Sequence, residues 1–323
     1  MPSMTFDDLQ RLMWEFARHR VVTVAARTGL LSRLALRPAT PAEAARELGL
    51  DPLATAKVVR ALAAIGIVAA DGDRYRVVET LAPMFDGGAD DLSPFVAHSH
   101  SMYQAWGENL EPWLRGEPWE TRDRSPEEVR AFGAAMRAVG GRIAQRAAAC
   151  LDVAGAQRML DLGGGFGQYS LALCALHSDL RSTVLDTPPV AELARLELAG
   201  SDFEDRITFL GGDYHTTEVG DGYDLVLLAN ILHQESAPQA AALVRRAADA
   251  LSPGGRVAVV DFQIDDAQRG HPFGTLFAIN MRSFGDTHTE PAIRGWMAAA
   301  GLGEITRTDL DRDRWLIAGR KPG

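Results

Sequence analysis

Cysteine and lysine are almost missing from this 323-residue chain, which has Cys150 and Cys174 as its two cysteines and Lys57 and Lys321 as its two lysines. Two cysteines are too few for a disulfide framework or a cysteine-built zinc site. Long apolar runs are missing too, since none approaches the ~18–20 residues of a membrane-spanning helix. The opening MPSMTFDDLQ carries acids early and leads into no apolar segment, so it does not read as a secretory signal. Positive charge is in deficit: 33 Lys+Arg face 43 Asp+Glu, a formal net charge of −10. With a sequence pI near 5.3, that excludes general binding to nucleic acid or anionic lipid, which needs a basic face. The near-total use of arginine over lysine, with abundant alanine, reads as a GC-rich coding sequence and carries no mechanism.

What is present is an ordinary globular balance, 46% hydrophobic and 24% charged. That is ample apolar surface to offset chain entropy, so general disorder is excluded. The length suggests about two domains. A cytoplasmic enzyme is the expectation.

The first ninety residues read as helices and one hairpin. Thr5 can cap a helix over residues 5–28, with Asp7 and Asp8 in its first turn and Leu9, Leu12, Met13 and Phe16 at helical spacing. Gly29 ends it, and a short helix over 30–36 follows. Thr40-Pro41-Ala42-Glu43 is a capping box with proline at the first helical position, opening a helix over 42–48. Asp51-Pro52 opens another over 53–65. Residues 67–70 and 75–78 flank the turn Asp71-Gly72-Asp73 as two strands. Helix, helix, hairpin is the outline of a winged helix-turn-helix. Between Thr40 and Thr80, Arg46, Lys57, Arg60, Arg74 and Arg76 are outnumbered by six acids, so nothing displaces counterions from phosphate. The unit is expected to be structural or dimer-forming, not a DNA reader.

Residues 92–114 and 127–151 read as two connecting helices, the second capped by Ser125 with acids in its first turn. From Arg158 onward strands alternate with helices: strands over 158–162, 181–186, 207–211, 224–229 and 256–262, then a closing antiparallel pair over 304–309 and 315–320. This predicts an α/β fold, a doubly wound, mostly parallel sheet. The expected domains are 1–90, a helical connector 91–150, and 151–323.

Asp161-Leu162-Gly163-Gly164-Gly165-Phe166-Gly167 leaves the first strand of this region and opens a helix. A dinucleotide fingerprint needs G-x-G-x-x-G, but the sixth position is Gln168 counted from Gly163 and Ser170 counted from Gly165. A phosphate loop ending in G-K-[ST] is missing as well. Acids stand where phosphate donors would be wanted. Asp161 precedes the glycines, and Asp186 ends the next strand, where its carboxylate can accept two ribose hydroxyls. Asp213 follows Gly212 and precedes Tyr214, placed to accept from an adenine amine. An acid-rimmed site without a phosphate cradle suits a cationic nucleoside, and S-adenosylmethionine is such a molecule. Its candidate ligands are Asp161, Gly163, Gly165, Asp186, Gly212, Asp213, Tyr214 and Asn230.

DLGGGFG, LDTPPV, GGDY, YDLVLLANILH and LSPGGRVAVVDF resemble the successive motifs of class I S-adenosylmethionine-dependent methyltransferases. Over nearly its whole length the chain is similar to the caffeate/hydroxyindole-type small-molecule O-methyltransferases, including the bacterial natural-product branch. The resemblance implies a Rossmann-like catalytic domain and a homodimer interlocked through the winged N-terminal unit. It also implies S-adenosylhomocysteine as product and His233 as general base, for which an unperturbed pKa near ~6.5 is suitable. The family flanks this histidine with two carboxylates. Asp261 stands at the first position. Thr287 falls at the second, so Asp286 or Glu290 is left to substitute. The family's His-Asp-Trp is His233-Gln234-Glu235 here, and the basic residue some members place before it is Ala229.

The candidate catalytic residues are therefore His233, Asp261 and Glu290. Candidates for the acceptor pocket are Met102, Tyr103, Trp106, Phe132, Met136, Phe277 and Met281, with Asn280 and Arg282 as polar exceptions and His98 and His100 nearby in sequence. No metal is expected. Methylation of a hydroxyl on a small aromatic or polyketide-type metabolite is the leading reading. Carbon, nitrogen or sulfur acceptors stay open, as does a family member that binds the cofactor without transferring methyl. A winged-helix regulator is the remaining alternative.

Overall fold

The computed structural model describes residues 4–88, 90–119, 125–264, 272–281 and 284–323. They form two compact units, Met1–Val139 and Gly140–Gly323.

The first unit opens with α1 (Phe6–Leu12) and α2 (Glu15–Arg27) where the sequence predicts one helix. Thr5 forms a full capping box with Asp8. The break falls at Met13–Trp14, where the Trp14 N–H tightens onto the Arg11 carbonyl at 2.9 Å. Neither glycine nor proline marks that turn in the sequence. Then follow α3 (Leu30–Leu36), α4 (Pro41–Leu48), α5 (Pro52–Ala64) and the hairpin β1 (Val68–Asp71) with β2 (Arg74–Val77). The Thr40–Glu43 capping box forms as expected. Leu30, Leu31, Leu34, Val59 and Leu62 pack into one core beneath the wing. Next come α6 (Ser93–Leu114) and α7 (Pro126–Cys150). The last turns of α7 carry Ile143, Ala144, Ala147 and Ala148 into the core of the second unit. That packing is why the second unit starts at Gly140, earlier than the expected 151.

The second unit alternates strand and helix. It comprises β3 (Arg158–Leu162), α8 (Gln168–Leu176), β4 (Arg181–Asp186), α9 (Pro188–Leu198), β5 (Ile207–Gly211), β6 (Tyr223–Ala229), α10 (Ala237–Asp249), β7 (Leu251–Phe262), α11 (Pro272–Ala278), α12 (Glu290–Ala299), β8 (Gly303–Asp309) and β9 (Arg314–Arg320). The sheet order is β5-β4-β3-β6-β7-β9-β8. β3 pairs in parallel with both β4 and β6, and β9 is antiparallel to its neighbours β7 and β8. β7 begins earlier than predicted, because Leu251 already pairs with Tyr223 before a register shift.

Period-two alternation sorts each central strand onto two helical layers. Leu225, Leu227 and Ala229 of β6, with Ala258 and Val260 of β7, face the layer holding α8 and the end of α7. Val226, Leu228, Val257 and Val259 face the layer of α10 and α12. The order of strands reverses between β3 and β6, so the carboxyl ends of those two strands open a crevice, the usual place for a ligand in such sheets.

Candidate active site

The glycine segment crosses the tip of β3 with almost no room for side chains. A Cβ on Gly164 would stand 2.5 Å from the Asp161 carboxyl carbon and 2.7 Å from Val184. Gly165 has φ of 58°, the left-handed region open to glycine. Its N–H donates to Asp186 Oδ2 at 2.9 Å, and the Thr187 N–H donates to Asp186 Oδ1 at 2.7 Å. Asp186 is thus preset by the loop, while burial raises its pKa against those two backbone bonds.

Asp161 departs from the sequence expectation of a cofactor ligand. It is fully buried beneath the loop, where it accepts from Ser170 Oγ at 2.8 Å, and Ser170 also bonds Ser182. Burial above all, opposed by the Ser170 bond and helped by the Asp186 charge, pushes its carboxyl up to about 7. It supports the glycine turn from inside.

At the neighbouring tip, Asn230 follows β6 with φ of 55°, a left-handed conformation that asparagine tolerates. Its Nδ2 donates to the Tyr169 hydroxyl at 3.1 Å, tying this turn to the first residues of α8. Burial raises Tyr169 to about 12, so the phenol stays neutral. Sequence reading did not single out Tyr169.

Asn230 leads into a single turn of 3-10 helix, Leu232–Gln234, which presents His233. The imidazole Nδ1 lies 2.6 Å from Asp261 Oδ1, and the His233 N–H donates to Asp261 Oδ2 at 3.1 Å. Both residues are 5% exposed. The rings of Phe262 and Phe277 stand 5.2 and 5.1 Å from the imidazole. An Nδ1–H donated to Asp261 leaves Nε2 as the acceptor nitrogen.

The second carboxylate is not brought to this histidine. Glu290 starts α12 and accepts from Arg294 Nε at 2.6 Å and Arg307 Nη1 at 2.7 Å. Thr287 is buried and donates to the Gly274 carbonyl, and Asp286 accepts from the Thr287 N–H. His288 Nε2 lies 3.0 and 3.1 Å from the Leu232 and Glu235 carbonyls, fixing the turn from that side.

The loop after β5 carries Gly212, Asp213 and Tyr214. Asp213 is already engaged by its own loop, accepting from the His215 N–H at 2.8 Å and, weakly, from Thr216. The Tyr214 hydroxyl donates to Glu235 Oε1 at 2.6 Å. Burial and that bond both hold the phenol well above its ordinary pKa.

Among the acceptor candidates, Phe277 reaches His233, and Asn280 and Met281 sit half-buried just beyond it in the second unit. Met102, Tyr103, Trp106, Phe132 and Met136 belong to the first unit. There Tyr103 stacks on His19, with Arg20 over its ring, and Phe132 meets His98 edge-on. His100 is buried between Arg20 and Arg27, with both ring nitrogens engaged. Arg282 lies outside the described residues. No metal-binding group of His, Cys, Asp or Glu occurs among the described residues.

The residues at the strand tips fit S-adenosylmethionine. A ribose-type carboxylate is preset on the glycine loop, and the loop is closed by its own acids, with none of the sequence patterns that cradle a diphosphate. Comparisons with known proteins agree. The chain is 28% identical to the tetracenomycin polyketide synthesis 8-O-methyl transferase of Streptomyces glaucescens, over 98% of this chain and 96% of that protein. It is 28% identical to the L-tyrosine C(3)-methyltransferase of Streptomyces lavendulae, over 97% and 92%. The structure of human N-acetylserotonin methyltransferase in complex with SAM has the same fold, with a TM-score of 0.85 at 22% identity, covering all of both chains. Residues 94–302 match the O-methyltransferase domain model. The chain belongs to the O-methyltransferase domain family and is an S-adenosylmethionine-dependent methyltransferase.

Proposed function

We propose that this enzyme methylates a hydroxyl of a small aromatic or polyketide-type metabolite, with His233 as the general base. The His233–Asp261 pair carries this reading. A buried carboxylate on Nδ1 fixes one tautomer, aims Nε2 outward and stabilises the imidazolium that forms as the acceptor loses its proton. Phe262 and Phe277 wall the ring and exclude water, which strengthens that electrostatic support. Glu290 is satisfied by its two arginines, so Asp261 is the only carboxylate assigned to the base.

S-adenosylmethionine supplies an electrophilic methyl group on a sulfonium. Asp186 holds the ribose hydroxyls, Gly163 and Gly165 allow close backbone approach, and Gly212, Asp213 and Tyr214 form the purine end. Asn230 positions the turn that carries His233, and Asp161 keeps the glycine loop in shape. Phe277, Asn280 and Met281 contribute to the acceptor side.

The enzyme acts as a homodimer through its N-terminal helices. Phe6, Trp14 and Phe16 are 72%, 71% and 52% exposed, beside Leu9, Leu12 and Met13. Apolar surface of that extent marks an interaction site. No helix of the described residues is long and apolar enough to cross a membrane, which suits the cytoplasmic location expected from the sequence. The acid-balanced wing argues against nucleic acid as partner.

The test is incubation with labelled S-adenosylmethionine and a panel of phenolic polycycles, followed by mass spectrometry and treatment of the product with boron tribromide, which strips methyl from an aryl ether and not from carbon. A stable carbon–methyl bond instead of a methyl ether would favour a second reading, which the tyrosine C-methylating relative motivates. No methylated product with any acceptor class would remove both.

A further inference from the structure

In the sheet order β5-β4-β3-β6, two strands separate β5 from β6. The loops at their carboxyl ends are nevertheless joined through one buried side chain. Glu235, 4% exposed, closes the turn that carries His233. Its Oε1 accepts from the Tyr214 hydroxyl at 2.6 Å and lies 3.1 Å from His215 Nε2. Tyr214 and His215 stand 21 and 20 residues earlier in the chain, directly after Gly212-Asp213 in the loop that leaves β5. A carboxylate taken out of water is costly unless donors meet it, and a hydroxyl bonded to a carboxylate is among the stronger hydrogen bonds. Burial first, and then the Glu235 bond, hold the Tyr214 phenol well above its ordinary pKa, so it stays a donor. Its ring lies 4.7 Å from that of His215, which packs the two donors as a pair.

On its other side Glu235 belongs to the backbone of the base turn. Its N–H donates to the Leu232 carbonyl at 3.0 Å, and the Gln234 N–H donates to the Ile231 carbonyl at 3.0 Å. Its own carbonyl, with that of Leu232, faces His288 Nε2. A shift of the Glu235 side chain is therefore felt by the turn that presents His233. The loop after β5 has a second hold, Arg246 of α10 on the Thr217 carbonyl, and that bond involves no residue of the turn.

We propose that Glu235 is a positioning residue, tying the loop after β5 to the turn of His233 so that a nucleoside seated on that loop also steadies the base. It touches neither the cofactor nor the acceptor and acts through Tyr214, His215 and the turn. This rests on the nucleoside placement and the base proposed above.

Backbone hydrogen exchange, measured with and without saturating S-adenosylhomocysteine, tests it without turnover. In the wild type the ligand should slow exchange about 10-fold or more at His215 and Thr216 of the loop and also at Gln234 and residue 235 of the turn. In Glu235→Ala the loop should still respond, while the two turn amides exchange as they do without ligand. Glu235→Gln keeps an oxygen that accepts the Tyr214 hydroxyl, so it should restore the response of the turn. Arg246→Ala loosens the same loop at Thr217 and should leave that response intact. Should Glu235→Ala fail to fold, Tyr214→Phe removes the tying hydroxyl, keeps the ring, and should weaken the response of the turn alone. A turn still slowed by ligand in Glu235→Ala, or in Tyr214→Phe where that variant stands in for it, overturns the proposal. A loss in Glu235→Gln equal to that in Glu235→Ala overturns it, as does a loss in Arg246→Ala. A folded wild type that takes up no S-adenosylhomocysteine in isothermal titration would instead bring down the cofactor reading on which the proposal stands.

Discussion

Around His233 each element satisfies its neighbour. Asp261 takes the imidazole N–H, the turn's own N–H and the Phe262 N–H, and His288 Nε2 stands against the Leu232 and Glu235 carbonyls. In α1 and α2 the opposite holds. Trp14 and Phe16 stack on one another with centroids 6.2 Å apart, and both stay open to solvent. A groove of about 850 Å³ beside them is lined by residues such as Gln10, Met13 and Arg18. One region is complete within its own unit, while the other leaves its aromatic rings uncovered, where the proposed dimer contact would form. On the proposed reading, chemistry and assembly lie on different parts of the chain, so substitutions should separate them.

The sharpest separation comes from His233→Ala. Transfer to a hydroxyl acceptor should slow by about 10²–10⁴-fold, the contribution of a positioned base. Titrated affinity for S-adenosylhomocysteine and the elution volume should stay as in the wild type. Next in size, Trp14→Glu combined with Phe16→Glu places charge in the exposed apolar face. Sedimentation should then show a shift from dimer to monomer of about 100-fold or more in dissociation constant, in line with losing two aromatic anchors. A variant that still sediments as wild type would break the contrast from the other side.

Gly164→Ala tests the glycine loop. The new methyl meets a buried carboxyl and a valine, so overpacking of about 1–3 kcal/mol is expected in denaturant unfolding, with weaker cofactor binding. The remaining effect is one of pH and belongs to Asp161. Its carboxyl titrates near 3.8 when unfolded and near 7 when folded. Between those values the folded chain holds the extra proton, so its stability declines as pH rises from about 4 to 7 and levels off above. Asp161→Asn cannot ionise. The melting temperature of wild type relative to this variant should therefore fall by a few degrees over that window, and a flat difference would mean that burial does not act on Asp161 in this way.

Much of the sheet was legible in the sequence. The strands over 158–162, 181–186 and 207–211 lie where their apolar and β-branched residues between turn residues put them. The break between α1 and α2 was not legible, since it depends on backbone tightening with no special residue. At the site, His233 and Asp261 were legible as candidates through the resemblance to the family, and the structure sets them 2.6 Å apart. Tyr169, Tyr214 and Glu235 were not legible as partners. Their bonds join residues 61 and 21 positions apart in sequence, and only the sheet order brings those loops together. Glu290 shows the reverse error: its position near the motif suggested catalysis, but two arginines contributed by α12 and β8 claim it.

Gly285 presses its backbone against the turn that carries the base. A methyl there would stand 2.6 Å from the His233 carbonyl and 2.8 Å from that of Gln234. Even the smallest side chain at this point would lift the histidine off its carboxylate. Attempts to retune which molecules the enzyme accepts should therefore leave position 285 untouched.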